Sequence, residues 1–190
     1  MLKKAQVTSI IIPIILIITL GAKPLSAEYL ISANSLLTRP QFQYVNARLW
    51  NYLRLGLTYL ESPEPYSPPE TIPPTYMHPD ARGFGTYGLS PEAYEDVRKI
   101  YPYFKDCGWQ DILKSEQLYE LANQAFADLL FKNLTDYIPE GSTQEQVFDI
   151  IHKAWNLGLT GFRSGRQTVE SRIKRAEEFK IAWRTNYYLK

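Results

Sequence analysis

Apolar residues recur at helical spacing along most of the chain, and few segments alternate between apolar and polar positions. The clearest example is 41–60, where Leu49, Leu53 and Leu57 follow one another at intervals of four residues. This spacing places side chains on one face of a helix. The pattern predicts an all-α architecture, with helices over 28–37, 41–60, 91–105, 109–114, 116–134, 142–157 and 168–188.

Polar residues mark several of the predicted helix starts. Ser90 precedes Pro91, and Ser115 precedes the helix expected over 116–134. Serine favours the position just before a helix, and proline favours the first helical position. Ser142 and Glu145 have the spacing of a capping box, which predicts a helix start at this point. A glycine-rich turn then separates the last two helices.

The segment 62–90 interrupts the helices with seven prolines and three glycines. A loop of this length in a compact domain is usually functional or disordered. Glu61 is the next step of the leucine stripe, so its carboxyl group is expected at the edge of the core. Burial disfavours the charged form of a carboxylate, and a protonated carboxyl group can serve as a general acid. The alternative is a solvated glutamate at a frayed helix end.

The first 27 residues have the features of a secretory signal. Lys3 and Lys4 precede an apolar run of about 13 residues, and Ala27 offers a small residue before a cut. The run is shorter than the roughly 20 residues that a membrane-spanning helix needs. We therefore expect residues 1–27 to be removed, leaving one domain over 28–190 in the periplasm or outside the cell. A membrane tether follows only if the signal stays uncleaved.

Composition narrows the function of the predicted mature domain. Removing residues 1–27 from 190 leaves 163, and the loss of three lysines changes the formal net charge from +1 to −2. This gives no electrostatic reason to expect nucleic acid. Cys107 is the one cysteine, so no intrachain disulfide can form. With His78 and His152 as the two histidines, neither a metal site nor another cofactor is predicted.

Four short motifs occur in the order found in one enzyme family. They are Glu61-Ser62, His78-Pro79-Asp80-Ala81, Gly85-Thr86-Tyr87-Gly88-Leu89 and Ala154-Trp155-Asn156-Leu157-Gly158. Together they resemble the soluble lytic transglycosylase superfamily, whose fold is similar to that of goose-type lysozyme. The resemblance covers about 41–179. It implies a lysozyme-like helical domain with a long proline-rich active-site loop.

The resemblance implies an exported enzyme that binds peptidoglycan glycan strands and cleaves the β-1,4 bond between N-acetylmuramic acid and N-acetylglucosamine. It implies that Glu61 acts first as acid and then as base, which gives a 1,6-anhydro product. Ser62 and Asn156 would orient the glutamate or contact the sugar, and Gly88 with Leu89 would bring backbone close to the saccharide. Tyr87 and Trp155 could offer ring faces to the sugar, although aromatic residues near helix ends more often belong to the core.

Two alternatives stay open. The family usually follows Gly-Leu with Met-Gln, whereas Ser90-Pro91 stand here, so the chain could be a catalytically inactive glycan-binding or interaction domain on the same fold. A hydrolytic lysozyme is the other alternative, with Asp80, Glu64 or Glu70 as a second carboxylate. The last basic run, 172–180, alternates in charge and is interpreted as a solvated helix face.

Overall fold

The computed structural model describes residues 40–61, 72–78 and 83–185. Within these ranges the chain is mostly helical and contains no β-strand, so the all-α prediction is confirmed. Several predicted features lie outside the described residues: the signal 1–27, the helix 28–37, Ser62, Glu64, Glu70, and the Pro79-Asp80-Ala81 part of the second motif. No helix of the described part is both long and apolar enough to cross a membrane.

Within the described ranges six α-helices follow one another, in places separated by short 3₁₀ turns. They are α1 (Ala47–Glu61), α2 (Pro91–Ile100), α3 (Trp109–Leu113), α4 (Glu116–Asn133), α5 (Gln144–Arg163) and α6 (Glu170–Arg184). The central helix α4 packs against α2, α3 and α5, while α1 packs against α5 and α6. This arrangement brings the C-terminal end of α1 and the start of α6 together.

The starts of two helices confirm the capping predictions. The side chain of Ser90 accepts a hydrogen bond from the Ala93 amide, and that of Ser115 accepts one from Leu118. At α5 the prediction was one residue too early, because the capping box is formed by Thr143 and not by Ser142. The hydroxyl of Ser142 donates instead to the Pro139 carbonyl, which keeps it in the preceding turn.

Helix boundaries differ from the predictions where prolines and glycines act. α2 ends at Ile100 and not near 105, because Pro102 begins a separate 3₁₀ turn. α5 extends beyond the expected end at Leu157 to Arg163, with an internal kink at Gly158, whose φ is +68°. Glycine adopts this left-handed conformation without steric cost, so the helix resumes after one irregular residue.

Gly56 sets the close approach of α1 to its neighbours. A β-carbon at this position would lie 2.6 Å from Cζ of Phe148 on α5 and 2.8 Å from Cε1 of Phe179 on α6. Both rings are fully buried and also surround Tyr52. Because Gly56 has no side chain, α1 packs closely against these aromatic rings. This packing positions the helix and therefore Glu61 at its end.

The segment before α1 is irregular and not helical, although the sequence predicts a helix from 41. Asp128 on α4 is buried, and its carboxylate accepts hydrogen bonds of 2.7 Å from the Tyr44 and Val45 amides and of 2.7 Å from the Tyr101 hydroxyl. The same carboxylate lies 3.4 Å from the Gln43 amide. These bonds satisfy backbone donors outside a helix, so the helix starts at Ala47.

Candidate functional site

Glu61 is the last residue of α1, as the leucine stripe predicts. Leu53 and Leu57 on the same face are fully buried, and the side chain of Glu61 is only 7% exposed. The carboxyl group lies in the wall of a cleft of about 1200 Å³. The alternative of a solvated glutamate at a frayed helix end is therefore wrong.

The carboxylate of Glu61 forms a two-point ion pair with Arg172 on α6. Nη1 of Arg172 donates to Oε1 at 2.7 Å, and Nη2 donates to Oε2 at 2.8 Å. Paired N–H bonds of this kind are strong and directional. The pair therefore differs from the apolar surroundings expected for Glu61.

Arg172 is the main site residue that the sequence did not predict. The run 172–180 was interpreted as a solvated face, but Arg172 is ion-paired with Glu61. At the other end of the run, Lys180 is buried and its Nζ binds Asp149 at 2.9 Å and Glu177 at 2.6 Å. That interpretation is wrong at these two positions. A buried carboxylate needs a basic partner, and this was the signal that could have pointed to an arginine. The sequence does not show which one, because 111 positions separate Arg172 from Glu61.

Gly88 lies directly against the carboxylate. Its φ is +64°, and a β-carbon built there would be 3.3 Å from Oε2 of Glu61. A side chain at this position would be strained by the backbone conformation and would also press on the carboxylate. Leu89 is buried beside it and lines the same cleft. The structure thus brings the predicted Gly-Leu pair to Glu61.

The loop that contains Gly88 is held by side chains from other elements. The hydroxyl of Tyr119 on α4 donates to the Phe84 carbonyl at 2.6 Å and accepts from the Tyr87 amide at 3.1 Å. Nε2 of His78 lies 2.6 Å from the Gly85 carbonyl oxygen. These contacts fix both sides of the turn, so the backbone at Gly88 is set before any ligand arrives.

Trp155 and Asn156 line the cleft from α5. The indole Nε1 of Trp155 donates to the Tyr87 carbonyl at 2.9 Å, and its ring packs edge-on against Phe126. Trp155 is half-buried, so part of the ring faces the cleft. Asn156 is exposed, and its amide is available to a ligand.

Tyr87 does not offer its ring to the cleft, which corrects the prediction that it could. The ring is buried, stacks on Tyr119 with centroids 5.7 Å apart and meets Trp50 edge-on. Burial raises the pKa of its hydroxyl to about 12. Tyr87 contributes to the site through its backbone carbonyl, which accepts the hydrogen bond from the Trp155 indole. Ser62, the remaining predicted residue, lies outside the described residues.

Other groups give no separate chemistry in the described part. Among these residues no cluster of three or more histidine, cysteine or acidic side chains could hold a metal ion. Burial raises the pKa of the Cys107 thiol, which disfavours the reactive thiolate. Glu92 and Asp96 on α2 line the same cleft as Glu61 and are the acidic side chains that accompany it there.

The site therefore comprises one sheltered carboxylate, its arginine partner, a close-approach glycine, an indole and an amide along one cleft. Comparison of the chain with protein-family models, with curated proteins and with solved structures found no match.

Proposed function

We propose that this chain is an exported peptidoglycan lytic transglycosylase with Glu61 as its acid and base. The observation that supports the proposal is the placement of Glu61. A 7% exposed carboxyl group ends an apolar helix face and opens onto a cleft that Gly88, Leu89, Trp155 and Asn156 also line. These are five of the residues that the family resemblance names, and they come from three separate parts of the chain.

The proposed reaction uses one carboxyl group twice. Protonated Glu61 gives its proton to the glycosidic oxygen between N-acetylmuramic acid and N-acetylglucosamine, and the bond from C1 to that oxygen breaks. The positive charge on the muramyl ring is held by its own acetamido group or as a sheltered oxocarbenium-like state. Ionised Glu61 then takes the proton of the 6-hydroxyl, whose oxygen bonds to C1. Glu61 regains its proton, and no water is consumed.

Arg172 takes part in this proposal at both steps. Donation is easier when Arg172 loosens its bond to one oxygen of Glu61, because a neighbouring positive charge disfavours the protonated form of a carboxyl group. After donation, the guanidinium is in place to stabilise the carboxylate, because an opposite charge at this distance favours the ionised form. Asn156 and the indole of Trp155 would position the saccharide over the carboxyl group, and Gly88 would let it approach the backbone.

A Glu61→Gln variant tests the proposal directly. Wild-type protein should release soluble fragments from purified cell walls, and mass spectrometry should show ends lighter by one water than ordinary reducing ends. We expect Glu61→Gln to lower the release at least about 100-fold, which is a typical contribution of a positioned acid or base. Glu140→Gln, at an exposed glutamate outside the cleft, should release fragments as wild type does.

Two outcomes contradict the proposal. If wild-type protein releases nothing, or if Glu61→Gln releases fragments equally well, the chain is not this enzyme. Fragments that end in ordinary reducing sugars would instead indicate a hydrolytic lysozyme. Circular dichroism of both variants controls for folding, because Glu61→Gln leaves the charge of Arg172 without its partner.

A catalytically inactive glycan-binding domain is the second candidate. The ion pair itself favours this function, because both oxygens of Glu61 are bound to a cation, and a neighbouring positive charge disfavours the protonated carboxyl group that a general acid needs. In that case wild-type protein and Glu61→Gln would both bind purified glycan strands, and neither would release fragments.

A further inference from the structure

We propose that Arg172 is a subsite for a ligand carboxylate, and that the ligand is a muramyl sugar whose lactyl carboxylate is free of peptide. This inference rests on the proposed function, because it specifies which glycan strands the cleft accepts. It extends the role of Arg172 from a partner of Glu61 to a residue that selects the substrate.

The guanidinium of Arg172 retains donors for a second acceptor. An arginine side chain presents five N–H groups in one plane, and Glu61 accepts two of them, from Nη1 and Nη2. The Nε–H and a further Nη N–H form another parallel pair along a different edge. Within the described ranges no hydrogen bond uses that edge. The side chain of Arg172 is 22% exposed and lines the cleft, so an entering ligand can reach it.

Two cations on α6 line the cleft, whereas Asp96, which lines it from α2, is paired with Lys99 at 3.0 Å. Arg172 and Arg175 supply the positive charge on α6. The guanidinium of Arg175 lies over the ring of Tyr59, 5.8 Å from its centroid. Among the described residues, Arg172 is therefore the cation that offers an open hydrogen-bonding edge next to Glu61.

The position of Arg172 selects a carboxylate on the reacting sugar. Both hydrogen-bonding edges belong to the same small, planar guanidinium group. A ligand carboxylate bound at the second edge would therefore lie close to the Glu61 carboxylate. In muramic acid the lactyl ether is attached to the same ring whose C1 loses the glycosidic oxygen. A bidentate bond to the lactyl carboxylate would thus anchor the ring that reacts.

Peptide attachment removes the feature that Arg172 recognises. When the lactyl group is joined to a peptide stem, its carboxylate becomes a neutral amide that offers one carbonyl oxygen. A carboxylate can accept both N–H groups of the guanidinium edge and also carries the opposite charge, whereas the amide oxygen offers neither the second acceptor atom nor the charge. The cleft should therefore prefer glycan strands from which the peptides have been removed. The reaction that supplies this substrate would be hydrolysis of the lactyl amide.

The test measures the binding of monosaccharides to wild-type protein by NMR titration. The probes are N-acetylmuramic acid, its L-alaninamide conjugate, N-acetylglucosamine and glucuronic acid. We expect N-acetylmuramic acid to bind at least about tenfold more tightly than each of the other three, which corresponds to about 1.4 kcal/mol. Equal affinities would overturn the inference. Glucuronic acid binding as tightly would overturn the muramyl assignment, because it carries its carboxylate at another position of the ring.

Variants of Arg172 connect the preference to this side chain. Arg172→Gln should remove the preference for N-acetylmuramic acid, whereas Arg172→Lys, which keeps a point charge without the fork, should retain part of it. Lys174→Gln is the matched control, since it removes one positive charge two residues away on the same helix from a side chain that is 78% exposed. An unchanged preference in Arg172→Gln would contradict the inference.

A double variant keeps the test informative if Arg172→Gln folds poorly. Glu61→Gln combined with Arg172→Gln removes both charges of the pair, and it should fold while showing no preference. The binding test is independent of turnover, because the monosaccharides contain no bond to cleave. Wild-type protein that cleaves walls but shows no preference contradicts this inference alone. Protein that shows the preference but cleaves nothing contradicts the proposed function alone.

Discussion

At the scale of single residues, the site depends on groups whose conformations are fixed by their neighbours. Gly88 adopts a left-handed backbone conformation beside Oε2 of Glu61, and Tyr119 holds the loop around it. The close approach of this loop to the carboxyl group therefore depends on a residue without a side chain. Replacing that residue tests whether the close approach matters for activity.

Gly88→Ala should lower both stability and fragment release. A non-glycine residue in this conformation costs about 1–2 kcal/mol, and the added methyl group would press on the Glu61 carboxylate. We expect the free energy of unfolding to fall by that amount and the release of cell-wall fragments to fall at least about tenfold. Gly141→Ala is the control, because Gly141 also has a positive φ but a β-carbon there meets no atom within 4 Å. Equal losses in the two variants would show that strain alone accounts for the effect.

At the scale of helices and their connections, one buried carboxylate on α4 binds several groups of the segment that leads into α1. Asp128 on α4 binds the Tyr44 and Val45 amides and the Tyr101 hydroxyl. Because these bonds lie where α1 begins, they position the helix whose other end carries Glu61. The buried amides would have no acceptor if the carboxylate were removed.

Asp128→Ala should destabilise the protein by about 3 kcal/mol, since it leaves buried donors without partners that bound a charged group. The expected measurement is the free energy of unfolding in urea at neutral pH. Asp136→Ala, at an exposed aspartate in a 3₁₀ turn, should change that free energy by less than about 0.5 kcal/mol. A small effect of Asp128→Ala would mean that the irregular segment before α1 does not depend on these bonds.

Local signals in the sequence predicted local structure, and partners distant in sequence determined the remainder. Ser90 and Ser115 marked helix starts correctly, because a capping bond spans only three residues. The leucine spacing placed Glu61 at the cleft for the same reason. Asp128 bonds to residues 83–85 positions away, and no periodic pattern reveals such a contact. Arg172 was missed likewise, since its charge pattern matches that of a solvated helix face.

At the scale of the whole molecule, a buried histidine links stability to pH. His152 is 2% exposed, and its Nδ1 lies 2.9 Å from the Phe148 carbonyl, so Nδ1 is the protonated nitrogen. Its Nε2 is buried without a hydrogen bond among the described residues. Burial lowers the pKa of His152 from 6.5 to about 4. The folded protein thus excludes a proton that the unfolded chain accepts.

This linkage predicts a loss of stability at acid pH. Between pH 6.5 and about 4 the unfolded chain binds more protons at His152, so the free energy of unfolding falls as the pH falls, by up to about 3 kcal/mol. His152→Phe cannot bind that proton and should lose less stability over the same range. Urea unfolding at pH 7.5 and pH 4.5 gives the loss of stability for each protein. Subtracting the loss of the variant from that of wild type cancels the contributions of carboxylates such as Glu145, which both proteins share. Equal losses would contradict the assignment to His152.

The Tyr119 hydroxyl has a consequence for how the cleft can move. One oxygen atom on the central helix accepts from one side of the Gly88 loop and donates to the other, while the Trp155 indole on α5 binds the same loop at the Tyr87 carbonyl. The Gly88 loop, which borders the cleft, is therefore bound to both α4 and α5. Widening the cleft at this loop therefore requires α4 and α5 to shift together.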